Sequence, residues 1–144
     1  MNEGYALLYT KLIDNLSNNP LVNLVTEGLT DEIDLGKQTI FPLAHVVINS
    51  ATFQNNAVSF QVDIYCMDIV DISDDGIDNK KDVMNTQYNI LLRLYEYLRR
   101  GTLWNDDIEI ESMSVTAFEQ AYENYLAGWS ASLSILVPNH MTIC

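Results

Sequence analysis

Asp71 to Asp82, DISDDGIDNKKD, is the stretch whose residue types and spacing come nearest to a chemical site. Oxygen-bearing side chains stand at its first, third and fifth places (Asp71, Ser73, Asp75), and Gly76 stands at the sixth. That imitates a calcium loop, in which hard oxygens surround the ion and glycine makes the sharp turn. Three features oppose it: Asp78 fills the eighth place, where an apolar residue belongs, the short Asp82 replaces a bidentate Glu at the twelfth, and a strand pattern precedes the loop instead of a helix. The expectation is a solvated acidic loop at the start of a helix, with no metal and no cofactor. A calcium ion held by Asp71, Ser73, Asp75 and Asp82 is the alternative.

Other reactive side chains are scattered. His45 lies in an apolar strand pattern and His140 near the end of the chain, without the paired spacing of a zinc site. Cys66 falls on the apolar face of its strand, where a small core side chain is the plainer role. No glycine-rich phosphate cradle, G-x-S-x-G elbow or H-E-x-x-H helix is present. The chain is expected not to be an enzyme; a pocket gathering His45, Cys66 and a carboxylate would reverse that. Phe118, Tyr122, Tyr125 and Trp129 cluster in sequence and are the candidate partner contacts, because aromatic side chains are favoured at protein interfaces. Simple core packing is the competing role for them.

The charge balance narrows the partners. Twenty acidic against seven basic side chains give a formal net charge of −13 over 144 residues. Binding to a nucleic-acid backbone rests on clustered Lys and Arg, so a phosphate-tracking surface is excluded. At 48% hydrophobic, the chain fits one domain, 1–144, with a sizeable core. Two cysteines, Cys66 and Cys144, make no disulfide framework, which suits assembly in a reducing compartment. The acidic, amphipathic start differs from a signal peptide, and no apolar run is long enough to span a bilayer. A soluble protein with no membrane partner is expected.

Hydrophobic spacing then supplies the elements that must position these groups. Tyr5, Leu8, Tyr9, Leu12, Ile13 and Leu16 recur at helical spacing, and the run Ser17 to Pro20 ends that helix. Leu21 to Glu27 reads as a short strand, and Gly28 to Gln38 as a glycine-punctuated loop. Ala44 to Val70 reads as two strands around an Asn55-Asn56 turn. In the second of them Val58, Phe60, Val62, Ile64 and Cys66 oppose Ser59, Gln61, Asp63 and Tyr65. Asn79 is placed to cap a second helix, whose buried stripe is Val83, Gln87, Ile90, Leu91, Leu94 and Leu98. Arg99, Arg100 and Gly101 mark its end. A strand follows over Asp107 to Val115, then a linker, Thr116 to Asn124, whose aromatic-acidic character suits a bulged strand or a short turn of helix, and a last strand over Leu126 to Val137. That strand sets Ala127, Trp129, Ala131, Leu133, Ile135 and Val137 against a serine-rich wet face. The fold expected is α+β: an antiparallel sheet with the two amphipathic helices packed on one face.

This order of elements, with Phe118 to Pro138, FEQAYENYLAGWSASLSILVP, resembles the tail terminator and tail-completion (head-tail joining) proteins of tailed bacteriophages. In that family a turn element similar to Leu126-Ala127-Gly128-Trp129 leads into an alternating strand. The likeness covers nearly the whole chain as a pattern of elements. It implies a structural virion protein, assembled in the host cytoplasm, that forms a homo-oligomeric ring, commonly a hexamer. Such a ring joins the tail tube to the connector or neck proteins on the head side, and DNA passes through its acidic channel without specific binding. The resemblance supplies no catalytic residues. An acidic wall would repel phosphates within about a Debye length of 8 to 10 Å. The alternative is a small soluble binding module that uses its sheet face for a peptide or ligand.

Overall fold

The structure is a computed structural model and describes residues 4–27, 42–70, 80–100, 109–121 and 125–138. Its elements run α1 (Gly4–Ser17), β1 (Leu24–Glu27), β2 (Leu43–Phe53), β3 (Ala57–Ile69), α2 (Lys80–Arg100), β4 (Glu109–Ala121) and β5 (Tyr125–Pro138). The strands form one five-stranded sheet in the order β1-β2-β3-β5-β4.

Helix α1 buries Leu8, Leu12 and Leu16, one residue per turn along a single stripe. Backbone bonds from Asn18 N to Asp14 O (3.0 Å) and Asn19 N to Leu16 O (3.1 Å) close its last turn. The buried Asn19 then accepts a bond from Leu21 N at its own Oδ1, 3.0 Å, turning the chain toward β1. Helix α2 buries Val83, Gln87, Ile90, Leu91, Leu94 and Leu98, the stripe expected from helical spacing. Asn79 and Gly101, expected at its two ends, lie outside the described residues.

Both helices pack on the same face. Their stripes join Ala44, Val46, Val58, Phe60, Val62, Ile64, Cys66, Ala131, Leu133, Ile135 and Val137 in one apolar cluster. Removing that much apolar surface from water is the main force holding the layers together. A smaller cluster of Val70, Val83 and Ala127 fixes the first turn of α2 to the sheet.

The sheet is mixed, which corrects the antiparallel sheet expected from the sequence. β1 pairs with β2 in parallel, Leu24 opposite Leu43 through Glu27 opposite Val46, while every other pairing is antiparallel. A parallel neighbour needs a connection of roughly a dozen residues or more, and residues 28–42 provide that length. The α+β class and the placement of both helices on one face stand. β2 and β3 form the expected hairpin, with Gln54 N bonded to Ala57 O at 2.9 Å.

β4 differs from its expected extent. It continues through Thr116 to Ala121, so that most of the expected linker is strand, the first of the two forms its composition allowed. A register shift between Ile110 and Ser112 leaves Glu111 without a partner on β5. This bulge brings Ile110 to the helix side together with Met113 and Val115, all three packed against the core. Leu126, Ala127, Gly128 and Trp129 lie in the first half of β5, paired on both sides, as the strand expected over Leu126 to Val137 has them and unlike the turn element of the tail terminators.

Candidate functional site

The face of the sheet away from the helices carries the polar chemistry. Opposite residues in the ladder share a face, so Thr26, His45, Tyr65, Ser130 and Thr116 lie in one row across all five strands. Val47, Asp63, Ser132 and Ser114 make the next row. Along the first row, Thr26 Oγ1 and the buried His45 Nδ1 are hydrogen-bonded at 2.6 Å. Tyr65 faces His45 with ring centroids 6.4 Å apart, and Phe118 on its other side at 6.5 Å.

Toward the hairpin end the polar groups bind one another. Ser59 Oγ donates to Glu111 Oε1 at 3.2 Å, and a second contact joins Ser59 Oγ and Ser134 Oγ at 3.2 Å. Gln61 Nε2 donates to Ser134 Oγ at 3.1 Å, and Asn49 Nδ2 donates to Asp63 Oδ2. Burying Ser59 and Ser134 is tolerable because each hydroxyl has a partner. At the other end Leu43, Met67 and Leu126 form a second buried apolar cluster, flanked by Leu24, Tyr65 and Phe118.

The groups named from the sequence separate on this frame. His45 and Cys66 sit on neighbouring strands but on opposite faces: Ala44, not His45, is the partner of Cys66. Cys66 is wholly buried, and burial alone pushes its thiol up to about 12, which leaves it protonated and unreactive at neutral pH. Among the described residues no group of three or more His, Cys, Asp and Glu side chains could hold a metal ion. Asp71, Ser73 and Asp75 of the calcium alternative lie outside the described residues, as do His140 and Cys144, while Asp82 is exposed in the first turn of α2.

The aromatic candidates divide as well. Trp129 lies on the helix side, where its Nε1 donates to Met84 O at 2.9 Å and its ring meets Tyr88 edge-on at 5.8 Å. It anchors α2 to β5. Phe118 lies on the other face, half-buried against Tyr65. Tyr122 lies outside the described residues, and of Tyr125 only the backbone, at the head of β5, is described.

Two surface features had no clear mark in the sequence. Phe53, beside the hairpin turn, is 84% exposed, the most exposed of the large apolar side chains described. An apolar groove of about 140 Å³ lies between α2 and the β4 edge, lined by Tyr88, Leu91, Leu92, Tyr95, Met113 and Val115. The spacing of Tyr88, Leu92 and Tyr95 down one flank of α2 was the available signal for the groove. Phe53 offered none, because it continues the strand pattern of β2.

Among the described residues no helix is long and apolar enough to cross a membrane. Compared with known proteins, the chain matches no family model and no curated protein.

Proposed function

We propose that this chain is a self-associating structural subunit, a tail terminator-like or neck ring protein of a virion, which joins a tail tube to a head-side connector. The observation that carries this is the sheet's exposed edges. β4, 13 residues long, is an outer strand, and among the described residues nothing pairs with its far side. On the opposite edge, among the described residues, β1 covers only Leu43 to Val46 of the 11-residue β2. Long open edges are a hazard for a lone subunit and an asset for one that meets neighbours.

The helix, hairpin, helix, two-strand order, which prompted the likeness to tail terminators, supports the same reading. So does the charge: copies of a chain with net charge −13 around a common axis make a wall that repels phosphates and lets a duplex slide. The rival, a binding module using the open face, has less support. Leu43, Met67 and Leu126 on that face are already buried, and its hydroxyls toward the hairpin end are bonded to one another.

Sedimentation of the purified protein over a wide concentration range, with negative-stain microscopy, tests the proposal. Discrete rings, alone or on the ends of tail tubes, are the expected result. A protein that stays monomeric at high concentration and caps no tube would end it.

A further inference from the structure

We infer that Phe53 of one copy seats in the groove between α2 and β4 of the next, so that copies join head to tail; this rests on the self-association proposed above. The first support is size. An apolar cavity of about 150 Å³ holds a benzene ring, and the groove measures about 140 Å³. Its lining is aliphatic and aromatic, with Tyr88 and Leu92 themselves 41% and 42% exposed.

Charge is the second support. Two strongly acidic copies repel unless the surfaces that meet are exempt from the general surplus. The turn end of the hairpin is exempt: no Asp, Glu, Lys or Arg occurs between Lys37 and Asp63. Helix α2 goes further, carrying Lys80, Lys81, Arg93, Arg99 and Arg100 against only Asp82 and Glu96. Most of the chain's seven cations are therefore on one of the two elements that wall the groove, while the other, β4, carries Glu109, Glu111 and Glu119. A neutral projection meeting the basic helix is the approach that costs two such copies least.

Geometry excludes the molecule's own Phe53. Phe53 pairs with Val58, and Val58 with Val137, whereas the groove residues Met113 and Val115 pair with Leu133 and Ala131. The two sites are three inter-strand spacings apart, about 14 Å, and four to six residues apart along β5, about 13 to 20 Å. The filler must be another copy. Projection and groove lie on different parts of the surface, so the contact is heterologous, the kind that closes into rings when the rotation between copies allows.

Two exposed substitutions test this without disturbing the core: Phe53→Ser removes the projection and Leu92→Glu spoils the groove. Each alone should weaken self-association by about tenfold or more in sedimentation, with an unchanged circular dichroism spectrum. Mixed, the two variants retain one good contact between them and should give a complex of two subunits and nothing larger. If the unaltered chain is itself monomeric, the ring reading fails, and this inference with it. If the unaltered chain forms rings and Phe53→Ser forms them equally well, or the mixture gives no two-subunit complex, only the inference is overturned.

Discussion

Beneath the helices, alternate positions of β3 and β5 are apolar without interruption from Val58 to Cys66 and from Ala131 to Val137, and they merge into one cluster. On the other face the same strands present Ser59, Gln61, Asp63, Ser130, Ser132 and Ser134, with Leu136 at the hairpin end and Met67 and Leu126 at the other. The difference separates two tasks. The covered face excludes water and holds the layers together. The open face is held by hydroxyl and amide contacts, each with a modest net contribution, so its composition can change with less risk to the fold.

The sharpest way to break this contrast is Leu94→Ala on the covered face. Leu94 is fully buried, and its truncation should cost roughly 2–5 kcal/mol, read as a fall in the denaturant midpoint. A loss below that range would mean the cluster repacks freely. Gly128→Ala probes the open face where an added carbon has no room. A methyl group there would run into the Cys66 carbonyl and lie 2.8 Å from Met67 Cα, so β3 and β5 would have to part. A loss of about 1–3 kcal/mol is expected, as for other overpacked sites.

Gln87→Met should change stability in the opposite direction. Gln87 is wholly buried in the α2 stripe, and among the described residues neither its Oε1 nor its Nε2 has a hydrogen-bond partner. Replacing an unpaired buried amide with an apolar side chain of similar length should add about 1–3 kcal/mol; a loss would show that the amide has a partner in solution. Ser132→Ala, at an exposed position of the open face, should stay within about 0.5 kcal/mol.

The last expected effect is confined to alkaline pH. The Cys66 thiol ionises near 9 in the unfolded chain and near 12 in the folded one, so the folded state holds the proton more tightly. Stability is then unaffected below pH 9 and falls as the pH rises toward 12. Cys66→Ala should remove that part of the alkaline decline, as seen in melting curves of the two proteins.

How much of this could be seen beforehand depended on the range of the forces involved. The α2 stripe was legible residue by residue because helical periodicity is a local property of Val83 to Leu98. The two faces of β3 and β5 were legible for the same reason, since strict alternation needs no partner strand. The direction of β1 was not. A four-residue strand pairs either way, and what decides between them is where residues 28–42 return the chain. The end of β4 was hidden because the aromatic and acidic side chains of Thr116 to Asn124 suit a bulged strand or a short turn of helix alike, while the bulge at Glu111 reverses the alternation earlier in the strand.

Among the site candidates, Trp129 already shared the apolar parity of Ala131 and Leu133, which pointed to the helix side. Phe118 could be assigned to the other face only through its pairing with Gly128. That depends on a register between strands, which composition does not carry.

The strand order has one more consequence, for synthesis. β5, which follows the other described strands in the chain, sits between β3 and β4 and supplies the only described pairing partner that β4 has. A nascent chain that has released β4 but still holds β5 inside the ribosome therefore has an unfinished sheet, with the apolar rows of α2 and β3 in water. Completion must wait for Tyr125–Pro138 to emerge and be inserted from the middle, which makes the interval before it emerges the period when the unfinished sheet most needs a chaperone.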